Sequence, residues 1–486
     1  MIKILSKLLL VLVCLCMLTV IVPGVCASEA FSYSGEDALG IASSDEHIEE
    51  MSQPELSKAI FSIDGATTDV KTGITSDSKD TDELEKQYGV LNIPSTVLTY
   101  DAVSFKTVKL NKEGENSIKV YLYGKEYDLI LERSNFENID DGIDSYNGYI
   151  KGLDNSAALF TFDESMGKSL VHGFIEFENE QVYVVPVQTR ENGLKTDNPL
   201  HIIYSSKGVA NPTEEQIAEI EKRSSENTNR LGVTLPDAGK FPITSDLPSS
   251  YSPSSWATVY VLVATDYEFH ELETNWVSSA QSYMNHAAYQ YQRPDIGVFL
   301  NVAEYDDSKM YDLSNDARKT SEPLILFMDK FPASYLDSKN ADIAVYLGGN
   351  DITTGQYDTS QGLSYGYSYY NDPYNHNNCR YTWSQMVADR QPPIIGRLYD
   401  GSLNARRYCV IHELGHIFDA NHEDSQGTNK AYLWLENGIP KLTVMWSYYL
   451  GTMNTCEYSS PSYHGDSTHD NAGAIRAVKH NIAALV

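Results

Sequence analysis

An apolar run, Leu8 to Val22, interrupted only by Thr19, follows Lys3 and Lys7 and stops at Pro23-Gly24. The run is short for a membrane span. With the small residues Val25-Cys26-Ala27 behind it, residues 1–27 read as a secretory signal cut after Ala27. Residues 28–95 are polar and acidic, too poor in apolar positions to bury a face, and are expected to be a flexible segment. The period then changes to two. Ser117–Leu122, Tyr127–Leu131, Ala157–Phe162 and Gln181–Val185 are β-rich runs separated by Gly, Asn and Asp, which predicts a mainly antiparallel β domain over 96–223. A helix with Thr213 and Gln216 as capping box closes it. Residues 224–255, rich in Ser, Pro, Asn and Gly, read as a linker.

The last stretch, 256–486, mixes both periods. Strands are expected at 258–264, 296–302 and 341–347, with helices at 269–291 and after Ser321 between them. Later, Tyr408, Val410, Ile411, Leu414, Ile417 and Phe418 mark a buried helix. Asn471 is expected to cap a final helix with Ile475, Val478, Ile482 and Leu485 on one face.

The chemistry sits on that buried helix, in His412-Glu-Leu-Gly-His-Ile-Phe-Asp-Ala-Asn-His422. His412 and His416 are four apart, so they leave one helical face a turn apart and can share one Zn²⁺ at about 2.0–2.1 Å each. Glu413 can reach a water at the metal without being a ligand. His422 supplies a third nitrogen if the helix stops and the chain turns back. Three protein ligands with one open position make a catalytic zinc site.

HExxH with a further His at this spacing, followed by Met445 in Leu442-Thr-Val-Met-Trp-Ser447, resembles the metzincin metalloproteases, and the chain is most similar to their reprolysin (adamalysin-like) branch. The resemblance implies an α+β, zincin-like catalytic domain with a twisted mixed sheet and an active-site helix, preceded by a mainly antiparallel β pro-domain. It implies His412, His416 and His422 as zinc ligands, Glu413 as general base and Met445 as the turn methionine beneath the metal. The family has Gly where this chain has Asp419; Asp tolerates left-handed backbone angles better than most residues, so the turn is feasible. The long gap from His422 to Met445 suggests an insertion, and Ser447 stands where some metzincins place a tyrosine ligand.

Tyr146-Asn-Gly-Tyr-Ile-Lys-Gly152, Ser156 and His172-Gly-Phe-Ile-Glu176 resemble the propeptide of reprolysin-type enzymes, implying a zymogen. Related propeptides block the zinc with a cysteine. No cysteine lies between Ala27 and Cys379, so a carboxylate such as Asp237, or simple covering of the cleft, would have to serve. The generic alternative is a β accessory domain.

Other readings compete. Glu436 as third ligand would make a gluzincin. A non-catalytic surface binding protein, using the β domain and the tyrosines of 351–382, would leave Glu413 idle. That tyrosine-rich stretch is expected to supply the sheet's edge strand, along which a peptide pairs, and its tyrosines either line the cleft or pack. Gly362-Leu-Ser-Tyr-Gly366 fits the serine-hydrolase G-x-S-x-G pattern, but lacks the strand before and helix after Ser364 that the pattern needs. His464 and His469 read as surface residues.

Charge and cysteines narrow the partners. A net charge of −31 disfavours nucleic acid and anionic membranes. The substrate is expected to be protein or peptide, with no stable membrane insertion once the signal is removed and a secreted or cell-surface location. After Ala27 only Cys379, Cys409 and Cys456 remain, which allows one disulfide without choosing the pair. The residues leave calcium binding, subsite preference and oligomeric state open.

Overall fold

The computed structural model describes residues 58–165, 169–187, 199–210, a helical turn within 213–218, and residues 256–308, 321–350, 361–369, 378–388 and 399–486, apart from single positions inside these stretches. The signal, the linker, Asp237 and Gln216 lie outside the described residues.

Folding begins earlier than composition suggests. Within the stretch expected to be flexible, β1 (Phe61–Ile63), β2 (Thr67–Thr75) and α1 (Lys79–Tyr88) are formed. Averaged polarity hid the reason: β2 turns only Val70 and Ile74 inward, and α1 only Thr81 and Leu84, so each buries one narrow face. Ser78 caps α1 by accepting from the Thr81 N–H. The strands β3 (Thr99–Phe105), β4 (Glu115–Leu122), β5 (Lys125–Arg133), β6 (Ile143–Ile150), β7 (Ala157–Asp163), β8 (Leu170–Phe177), β9 (Glu180–Pro186) and β10 (Leu200–Ser205) complete one antiparallel sheet, in the order β1-β4-β5-β6-β7-β8-β9-β10-β3-β2.

The C-terminal part opens with β11 (Ala257–Thr265). The helix expected over 269–291 is two: α2 (Tyr267–Leu272), capped by Asp266, and α3 (Trp276–Tyr291). The chain continues through β12 (Val298–Asp306), α4 (Ser321–Lys330), α5 (Ala333–Ser338), β13 (Ile343–Gly348), β14 (Gly362–Ser364) and β15 (Tyr381–Gln385). Ser321 is the first residue of α4 rather than its cap. The sheet order is β12-β11-β13-β15-β14, parallel except for β14, which runs antiparallel to β15. The tyrosine-rich stretch therefore does supply an edge strand. Beyond it come α6 (Leu403–Ile417), the hairpin β16 (Leu433–Glu436) and β17 (Ile439–Leu442), and α7 (Asn471–Ile482). The hairpin fills the long gap between His422 and Met445. Asp470, not Asn471, caps α7 by accepting from Gly473 N at 2.7 Å; Asn471 Oδ1 instead takes the Asn421 N–H. Among the described residues no helix is long and apolar enough to cross a membrane.

The antiparallel sheet and the C-terminal part share a core. Phe174, Tyr183 and Tyr204 pack in one cluster with Val259, Met284 and Tyr408. The Val302 N–H bonds Phe136 O at 2.7 Å, extending the edge at β12. From α3, Asn285 accepts from the Ser134 hydroxyl, and Gln281 reaches Ile143 O and Glu137. Cys379, Cys409 and Cys456 are all buried, and no disulfide joins any two of them, so the bridge considered from sequence does not form.

Candidate metal centre

Helix α6 is the base of the site. Ser402 caps it by accepting from Ala405 N at 3.2 Å, and nearly every residue along it is buried. At its other end Phe418 and Ala420 both donate to Gly415 O at 3.0 Å, and Asp419 takes φ 60°, the left-handed angle of a helix stop. Asp419 thus does what the family glycine would do. Its strain is offset by anchors: Oδ1 accepts from Ser368 N at 2.8 Å, and its carbonyl accepts from the Asn421 and Asn429 amides. The bend returns the chain, and His422 faces α6.

Its Nε2 lies 3.0 Å from Nε2 of His412 and 3.0 Å from Nε2 of His416. The far nitrogens show what faces the centre. His412 Nδ1 stands 2.6 Å from Val444 O, and His416 Nδ1 stands 2.9 Å from Ala420 O. A carbonyl only accepts, so both Nδ1 atoms carry the proton and both Nε2 atoms present a bare lone pair. Burial first, and then the neighbouring imidazoles, push His412 down to about 3 and His416 well below its ordinary value; burial lowers His422 too. His412 and His416 thus each present a bare Nε2 lone pair to the point where His422 Nε2 meets them. Ligand atoms on a tetrahedral zinc stand about 3.3 Å apart, close to the two 3.0 Å contacts that His422 makes. No other set of three His, Cys, Asp or Glu groups among the described residues is this close.

Glu413 projects beside the triad, 5 % exposed, with burial pushing its carboxyl up to about 8 and the Ser364 hydroxyl pulling it down. Met445 is fully buried under α6. A Cβ on Gly415 would stand 2.5 Å from its sulfur, so the helix and the methionine pack in contact only because position 415 is glycine. The same turn supplies Val444 O to His412. Buried Glu423, next to His422, accepts from the Ser447 N–H at 2.9 Å and from its hydroxyl, tying the bend to that turn. A cavity of about 300 Å³ opens over the centre, lined by the triad, Glu413, Ser364, Tyr399, Tyr408 and Tyr449 among others.

Several expectations are settled by this geometry. Glu436 lies on the hairpin, 3.8 Å from Lys441, and does not line the cavity, which removes the gluzincin arrangement. Among the described tyrosines of 351–382, Tyr365 and Tyr367 pack against the core. The cleft tyrosines, Tyr399, Tyr408 and Tyr449, come from elsewhere. His464 is half-buried, stacked on Trp434 and bonded to Glu457 at 2.7 Å; His469 bonds Asp466. Sequence reasoning missed the two backbone carbonyls and the contact of Ser364 with Glu413. Carbonyls leave no trace in side-chain patterns; Ser364 stood in a conspicuous motif that pointed elsewhere.

A triad of converging imidazoles, a buried carboxylate beside it and a methionine turn below are the parts of a zinc-dependent hydrolase. Residues 277–423, which contain all three histidines and Glu413, match the family described as metallo-peptidase family M12B, reprolysin-like. This chain carries a reprolysin-like metallopeptidase domain, and its histidine triad fits a zinc site. No curated protein matches it. Among solved structures, "Structure of a chaperone-substrate complex" aligns at 16 % identity over 48 % of this chain, TM-score 0.34, and the chain spans only 39 % of that protein. "Crystal Structure of metalloproteinase-II from Bacteroides fragilis" aligns at 13 % identity over 72 % of this chain and 90 % of that one, TM-score 0.38. At such scores neither likeness bears on fold or activity.

Proposed function

We propose that the protein is an exported zinc endopeptidase, made as a proenzyme, in which His412, His416 and His422 hold the metal and Glu413 is the general base. The observation that carries this reading is the meeting of three Nε2 atoms at 3.0 Å contacts, two of them with Nδ1 committed to a carbonyl. Zinc bound there supplies Lewis-acid polarisation of the scissile carbonyl and lowers the pKa of a bound water to about 7. Glu413 takes a proton from the attacking water as its oxygen adds to the carbonyl carbon, then gives that proton to the nitrogen as the C–N bond breaks. Gly362–Ser364, the strand at the open edge of the sheet, offers backbone groups for pairing with an extended substrate. Met445 packs and takes no chemical part.

Export rests on the N-terminal apolar run and a cut after Ala27. The proenzyme reading rests on the β unit standing ahead of a linker over 224–255. Latency would come from a carboxylate such as Asp237 at the metal, or from simple covering of the cleft. N-terminal sequencing of the secreted active form locates the mature start; a start at residue 28 with full activity would overturn the proenzyme reading. For the catalytic reading, Glu413→Gln keeps its zinc and loses peptide hydrolysis by about a hundredfold to ten-thousandfold. Hydrolysis by that variant at the wild-type rate would show the mechanism to be wrong, and a wild-type protein that binds zinc but cleaves no peptide would favour the binding-protein reading.

A further inference from the structure

The motif Gly362-Leu-Ser-Tyr-Gly366 has no serine-hydrolase context, yet alternate positions of it touch the active-site helix and its bend. A Cβ on Gly362 would stand 2.4 Å from Glu413 Cγ and Oε1. Ser364 Oγ stands 2.7 Å from the Glu413 carbonyl oxygen and 3.0 Å from Glu413 Oε2. A Cβ on Gly366 would stand 2.4 Å from Asp419 Oδ1 and 3.1 Å from His416 O. Leu363 and Tyr365, between them, pack against the core on the other side, with Trp383 and Tyr346. The alternation is that of a strand, with one face laid along α6.

Two of these positions are glycine because the carboxylates of Glu413 and Asp419 occupy the space a side chain would fill. The position between them keeps a side chain, and it is one whose only polar group bridges Glu413 at two points. Glu413 has three rotatable bonds before its carboxylate, and a base must be held in line with the attacking water. Burial alone excludes solvent from it without choosing a rotamer. A hydroxyl carries one proton and two lone pairs. It can donate to Oε2 while Glu413 is ionised, or donate to the Glu413 carbonyl and accept from the carboxyl once the water's proton has been taken up. The same contact ties the edge strand to the helix that carries the base.

We propose that Ser364 is a positioning residue for Glu413, holding its carboxylate against the edge strand. The inference rests on Glu413 being the base of a zinc peptidase, as proposed above. A merely structural serine, pinning β14 to α6, would act on substrate pairing along that edge and so on KM. A positioning serine acts on kcat. Ser364→Ala and Ser364→Val remove the hydroxyl, and Ser364→Thr keeps it in nearly the same shape as valine. We expect Ala and Val to lower kcat about tenfold to a hundredfold, the loss of one hydrogen bond to a charged group. We expect KM within about twofold, zinc content unchanged, and Thr to restore most of kcat. Wild-type kcat in the Ala variant, or equal kcat in Val and Thr, would overturn the inference while leaving Glu413 as base, provided Glu413→Gln is inactive. A Glu413→Gln enzyme as fast as wild type would overturn both.

Discussion

Helix α6 buries polar and charged groups on two faces, and the two are treated in opposite ways. Towards the β unit, Arg406 meets Glu273 at 2.5 Å. Arg407, 1 % exposed, donates to Asn404 Oδ1 at 3.0 Å, stands 2.9 Å from His286 Nδ1 and lies over the Phe174 ring at 4.5 Å. Each cation there has a carboxylate, a lone pair or a π face beside it, as buried cations need. Towards the cleft, three imidazoles face one another through their Nε2 atoms, with a carboxylate alongside and no Lys or Arg among the described residues of the cavity lining. Burial of charge and polarity is therefore common to both faces. What marks the cleft face is convergence, with one ring nitrogen from each of three histidines meeting at a single point.

The largest effect comes from breaking the cleft face. His422→Ala leaves two imidazoles, and zinc affinity should drop by well over a hundredfold, since even the loss of an outer partner costs about ten- to a hundredfold. Glu436→Ala should keep one zinc per chain. Metal analysis of the dialysed variants checks both. Retention of zinc by His422→Ala would mean that the third imidazole is not a ligand.

On the opposite face the same kind of substitution should act on stability alone. Arg407→Met leaves His286 and Asn404 without their partner and removes the cation over Phe174, costing about 2–4 kcal/mol. The folded fraction should keep its zinc and its kcat. Thermal melts beside active-site-normalised rates separate the two faces: a fall in kcat at constant zinc would mean that the back of α6 is coupled to the centre.

How much of this was legible in the sequence follows from which atoms carry the signal. His412, His416 and His422 were readable because a helical spacing and a fixed bend translate directly into geometry, and Asp419 was readable as the bend because few side chains adopt φ 60°. The order of the three strands from 257 to 348 was readable from period and length; the short helix α5 was not. Residues 58–95 were not, because β1, β2 and α1 bury single narrow faces inside a polar average. The break at 273–275 was hidden because Glu273 looks like any polar helix residue until Arg406 and Ser279 are seen against it. The glycines and serine of 362–366 were visible, but their meaning depends on a helix some fifty residues away in sequence, which spacing within the motif does not encode.

The smallest effect tests the seam between the two parts, again on the face away from the cleft. Glu137 is 7 % exposed, with Gln281 and the Tyr305 hydroxyl at its carboxylate, and Asp141, Arg133 and Asp144 acting at longer range. Burial pushes its carboxyl up to about 8, with the Tyr305 hydroxyl pulling the other way. The unfolded chain releases this proton near 4.5, the ordinary value, while the folded chain holds it to about 8. Between those two values the folded state binds more protons, so stability falls as pH rises. The contribution is fully present below 4.5 and is lost by about pH 8. Glu137→Gln mimics the protonated form and should remove this slope. The variant should melt within a degree or so of wild type at pH 4.5 and about 2–5 °C above it at pH 8. Parallel melting curves of the two proteins across that range would mean that Glu137 is already ionised in its folded setting, and the seam would then hold a true buried charge of the kind Arg407 represents.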